Sequence, residues 1–175
     1  MAQQNILDST RFALITGCTT QNKKLIDNII KETEFFNFKK LVGKQVYSGI
    51  LAELNSEEGY SERLQELLEG GVYQCIAYFA YANYLMQGDV TPTYSGAVSK
   101  TNPYSEHISL GKQKNLFTHY SDIAIEHWNE VKDDVNEYFN IGPCSYDGNI
   151  SAEKFHQIIG VRRGPSRCTV KVSKM

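Results

Sequence analysis

From Val72 to Gly88 the chain reads VYQCIAYFAYANYLMQG, without one charged residue. A helix that is apolar all round must be buried all round. This segment therefore demands cover on every side, from the rest of the fold and, in a chain this small, from further copies of the same protein. As a helix it spans about 25 Å, short of the roughly 30 Å hydrocarbon core of a bilayer. It also carries Gln74, Asn83 and four tyrosines. A buried helix is the expectation, not a membrane span.

At 175 residues the chain is sized for one domain with an arm. Hydrophobic content of 41% and charged content of 22% are those of a globular domain, and a net charge of −2 favours no polyanionic partner. Tyr is abundant, at 11. Its apolar ring and polar tip suit both cores and interfaces. Cys18, Cys75, Cys144 and Cys168 form no CxxC pair, and MAQQNILDST has no secretory pattern. Free thiols in a reducing compartment are expected.

Residues 1–20 read as a loosely structured lead-in. Helical periodicity starts near Asn22, with Leu25, Ile26, Ile29, Ile30 and Thr33 on one face and Phe35, Phe36 and Phe38 thickening it. A second amphipathic stretch after Gly43 carries Val46, Tyr47, Ile50, Leu51 and Leu54. A short helix over Ser61–Glu69 points Leu64, Leu67 and Leu68 inward, and Gly70-Gly71 should break it. Residues 88–102, punctuated by Gly88, Pro92 and Gly96, are a loop or short β excursion.

Asn102-Pro103 marks the start of a long helix running to about Phe139. Its apolar track is Leu110, Phe117, Tyr120, Ala124, Trp128 or Val131, Val135 and Tyr138. Such a helix would reach roughly 50 Å, beyond a globule about 40 Å across. Either it breaks at Gly111 or the molecule is elongated. The fold expected is mainly α: a helical bundle over 1–142 with a long C-terminal helix, then an extended arm over 143–175. In that arm Val170 and Val172 alternate with polar residues as a strand without an obvious partner.

Charge is uneven. Glu53, Glu57, Glu58, Glu62, Glu66 and Glu69 are faced only by Arg63, whereas Arg162, Arg163, Arg167, Lys171 and Lys174 close the chain without an acid. The two clusters either attract each other or are two solvated faces. The basic tail is suited to phosphate contact but lacks interleaved aromatics for base stacking.

No phosphate-binding, zinc-protease or nucleophile-elbow motif occurs. His119 and His127 lie eight residues apart on one helix, about 12 Å in rise, too far for a shared metal. No catalytic, cofactor-binding or metal residue is assigned.

Four strings taken in order, LVGKQVYSGILAEL, LLEGGVY, AYFAYANYLMQGDVTPTYSGAVSKTNPYSE and VKDDVNEYF, resemble the small head–tail connector (adaptor or head-completion) proteins of tailed bacteriophages over roughly residues 22–140. The resemblance implies a mainly helical structural subunit of a virion, made in the host cytoplasm and assembled into a ring, typically dodecameric, between portal and tail. Its partners would be copies of itself, the portal protein and an adjacent connector or tail protein, with DNA passing through the channel. It implies neither an enzyme nor a cofactor.

On this reading residues 88–102 reach a neighbour. The contact candidates are Thr91, Tyr94, Gly96, Val98, Lys100 and Tyr104, with Arg162, Arg163, Val170 and Val172 in the arm. The competing readings are a helical adaptor domain with one cellular partner, a small thiol-dependent enzyme using Cys144, and a tail-terminator or stopper protein.

Overall fold

The computed structural model describes residues 5–18, 22–56, 59–87, 90–93, 96–99 and 110–141. These residues form a mainly α-helical bundle, as expected. In order come α1 (Ser9–Thr16), α2 (Lys23–Thr33), a π-helical turn (Glu34–Phe38), α3 (Lys39–Val42), α4 (Lys44–Leu54), α5 (Glu62–Leu67), a second π-helical turn (Leu68–Val72), α6 (Tyr73–Gln87), strands β1 (Val90–Thr93) and β2 (Gly96–Ser99), and α7 (Leu110–Tyr138).

The expected loose lead-in is instead a capped helix. The Asp8 carboxylate accepts from the backbone N–H groups of Thr10 and Arg11 at 2.7 and 2.9 Å, satisfying two orphan donors of α1. Gly17, with φ +68°, closes the helix in the left-handed conformation. Ile6, Leu7 and Phe12 are buried against the bundle. The sequence pattern failed here because α1 is short and its burial is shared with the segment before it.

α2 starts at the Asn22 cap and buries Ile26, Ile29, Ile30 and Thr33. The expected face also included Leu25, Phe35 and Phe36, and those three are exposed. The inward strip continues through Glu34, Asn37 and Phe38, which the π turn brings inside together. Gly43, at φ +86°, separates α3 from α4, and α4 buries Val46, Tyr47 and Ile50.

α6 lies at the centre, between α7, α2 and α1. Tyr73, Cys75, Ile76, Ala77, Phe79, Ala80 and Ala82 are buried. The chain itself thus covers the first three turns, correcting the expectation that sister copies are required there. Gln74, Tyr78 and Tyr81 are half-buried, and in the last turn so is every residue from Asn83 to Met86. Asn83 Nδ2 donates to Thr33 Oγ1 at 2.8 Å, tying α6 to α2.

Gly70-Gly71 kinks the chain within the π turn rather than ending in a loop. Gly71 is needed for proximity: a Cβ there would lie 2.8 Å from the His127 carbonyl oxygen and 2.8 Å from Val131 Cγ1. α7 is unbroken through Gly111. At 29 residues it is roughly 44 Å long. Ser121, Ala124, Ile125, Trp128, Val131 and Val135 are buried, but nothing in residues 111–120 is. The helix therefore runs past the core, as its length required. The expected cap at Asn102-Pro103 lies outside the described residues.

At its C-terminus Asn140 adopts φ +50°, with Ile141 N–H reaching the Asn136 carbonyl at 2.8 Å and Asn140 N–H the Glu137 carbonyl at 3.0 Å. That is a Schellman closure with Asn in the usual glycine position. Tyr138 then fixes the helix end, its hydroxyl donating to Glu53 Oε2 at 2.7 Å and lying 2.7 Å from Ser61 Oγ.

Gly71→Ala is expected to destabilise the fold by about 1–3 kcal/mol, because backbone and Val131 both occupy the added methyl's space. Gly70→Ala, whose Cβ would meet Val131 Cγ1 at 3.7 Å, should be neutral or stabilising. Urea unfolding of the two variants checks this contrast.

Candidate functional site

α6 and α7 run antiparallel, since Gly71 faces Val131, Tyr78 faces His127 and Tyr81 faces Tyr120. Along their seam lies a set of rings. Tyr78 stacks on His127 and Tyr120 at 5.6 and 6.3 Å, and Tyr81 meets Tyr120 edge-on at 4.7 Å. All four are half-buried. Such contacts stiffen the half-buried side of the helix pair, beside the buried core.

Beyond that seam the chain leaves α6 and folds into an antiparallel hairpin. Val90 pairs with Ser99, Thr91 with Val98, Pro92 with Ala97 and Thr93 with Gly96. Thus Thr91, Gly96 and Val98 are brought together on one ribbon, Thr91 opposite Val98. Tyr94, Lys100, Tyr104, Arg162, Arg163, Val170 and Val172 lie outside the described residues, as does the expected arm over 143–175.

A second surface was not anticipated. Phe35 and Phe36 are half-exposed and meet edge-on at 5.1 Å. The Lys39 ammonium lies 4.4 Å above the Phe35 ring and 5.5 Å from that of Tyr47. Together with Asn5, Asn28, Lys31, Glu32 and Glu34 these aromatics line a groove of about 340 Å³. The helical period could have revealed it. If Ile26, Ile30, Thr33 and Phe38 face inward, residues 35 and 36 fall on the far side.

Glu34 closes the groove's floor and is 2% exposed. Its Oε1 accepts the Leu7 backbone N–H at 2.9 Å. Burial pushes the carboxyl up to about 7, although the Leu7 and Ile6 N–H groups pull it down. Tyr47 beside it is raised by its own burial and by Glu34.

The two described thiols, Cys18 and Cys75, give no sign of activation. Burial raises Cys75 well above the ordinary thiol value and also raises Cys18. A reactive cysteine needs the opposite shift. Both are free, as expected, while Cys144 lies outside the described residues. Among the described residues no cluster of His, Cys, Asp or Glu is arranged to hold a metal, and no helix is long and apolar enough to cross a membrane. His127 Nδ1 is 3.2 Å from Glu130 Oε2 one turn on, a half-buried ring beside an exposed carboxylate. The acidic strip is partly engaged: Arg63 pairs with Glu66 at 3.1 Å, and Arg11 lies 3.9 Å from Glu69.

Replacing Phe35 or Phe36 by Ser should change the unfolding free energy by less than about 1 kcal/mol. Replacing Phe38, fully buried against Trp128 with ring centres 6.0 Å apart, by Ala should cost about 3–5 kcal/mol. Thermal unfolding distinguishes the surface pair from the core ring.

The chain belongs to a family of unknown function (DUF6712), whose model matches residues 26–138. The match runs from the first turns of α2 to the last residue of α7, taking in the hairpin and leaving out α1. No curated protein and no solved structure matches the chain.

Proposed function

We propose that this protein is a structural subunit of a tailed-phage virion, joining a ring between the portal and the tail through which DNA passes. The observation that carries the reading is the hairpin from Val90 to Ser99, set between the two longest helices where the buried core has ended. It coincides with the centre of the longest string that resembles connector proteins. The other strings fall on α3–α4, on the second π turn with the start of α6, and on the last turns of α7.

A ring of identical subunits needs heterologous contacts, in which one patch meets a different patch on the next copy. A compact bundle with a projecting helix pair offers two such unlike patches. Among the described residues the ribbon has two strands, and its outer edges are suited to strand addition by a neighbour. Basic residues of the arm would then neutralise phosphate in the channel without reading sequence. No reaction is assigned to the subunit.

A second reading has its own observation: the exposed Phe35–Phe36 pair suits a monomeric adaptor that captures a single partner. The two readings differ in mass. Mixed with its portal, the chain should elute as a ring-bearing complex many times 19.8 kDa by light scattering. A chain lacking residues 92–99 should keep its helical content and fail to join that complex. Unchanged incorporation of the deletion variant would remove the hairpin from the account.

A further inference from the structure

The groove floor holds a carboxyl that the bundle does not need as an ion. Glu34 is buried in the π turn, and among the described residues no Lys, Arg or His is ion-paired with it. Its partners are main-chain N–H groups of the strap that leads into α1. Breaking that strap's contacts would free Ile6, Leu7 and Phe12 and uncover the α1-facing sides of α6 and α2. We propose that Glu34 is a proton-operated latch, holding the strap and α1 on the bundle when protonated and releasing them more readily when ionised.

The groups around it leave the latch without a rival. From α4 comes Tyr47, whose own burial and whose nearness to Glu34 both hold its hydroxyl protonated, above the ordinary tyrosine range. Lys31 and Glu32 line the groove from α2, and the Lys39 ammonium from α3 is engaged over the Phe35 and Tyr47 rings. On the strap side, Asp8 is committed to capping α1, while the Arg11 guanidinium lies over the Tyr73 ring at 4.1 Å. α6 contributes no charged residue at all.

The direction follows from linkage. A carboxyl raised from 4.5 to about 7 by burial binds its proton more tightly in the closed state than in the open, hydrated one. The stabilisation it gives the closed strap is therefore complete below about 4.5 and is lost as pH rises through about 7. The equilibrium for strap opening should grow on the order of tens-fold between about pH 5 and about pH 8.

Hydrogen exchange by the full chain, expressed as protection factors so that the intrinsic pH dependence cancels, reads this directly. Protection at Leu7 and Phe12 should fall by that factor over the range, while protection at Ile76 and Phe79 in α6 holds steady. Glu34→Gln keeps an oxygen to accept from Leu7 and should make strap protection independent of pH. Carbon NMR titration of the Glu34 carboxyl in the unaltered chain gives a readout that does not depend on the variant folding. A midpoint near 7 supports the latch. A midpoint near 4.5, or strap protection as steady as that of α6, overturns it.

Discussion

Everything in this fold follows from the need to cover α6. A helix with no charge on any face can be placed only where neighbours surround it, and here α7, α2 and α1 supply them. The tightest approach is at Gly71, where α7 comes so near that its His127 carbonyl and the Val131 side chain fill the space of a Cβ. Ala77, Ala80 and Ala82 farther along are fully buried. Trp128 and Phe38, both buried, meet edge-on at 6.0 Å in the same close-packed core.

Once α6 is covered, the remaining features become placements relative to it. The first π turn widens the buried strip of the second helix, so that Phe38 reaches Trp128 while Glu34 is drawn inside. π turns of this kind interrupt a regular ladder and frequently accompany functional positions. Here the turn has two products around one groove: a buried carboxyl bonded to the strap, and a pair of rings left exposed. At the other end, α7 outruns the bundle. Its first ten residues after Leu110 bury nothing, and its partner α6 ends half-covered beside them. The molecule thus has a dense base and a projecting pair of helices that carries the hairpin.

Much of this was legible in the sequence, because long periodic segments leave little choice. The apolar run, the amphipathic stretch after Gly43, the leucines of α5 and the overlong last helix all read directly from residue type and spacing. The elements misread have local physical causes. α1 is only eight residues long, and its signal is a cap at Asp8 with a glycine at Gly17 rather than a periodic stripe. Phe35 and Phe36 read as core because they are large and apolar, but both are exposed. Glu34 is not legible because a buried acid leaves no mark in a chain of ordinary charge. Burial by the chain's own helices, rather than by sister copies, depends on tertiary packing that composition does not encode. Of the contact candidates, only Thr91, Gly96 and Val98 fall on described residues, where backbone pairing joins them.

The central claim is that one chain completes the core around α6 and that assembly is left to the parts lying beyond it. The concentration dependence of unfolding tests this most directly, since a fold that relied on sister copies would gain stability by mass action. The urea midpoint of the isolated chain is expected to stay constant across a wide dilution series. A midpoint that climbs steadily with protein concentration would show that α6 needs a second chain to cover it.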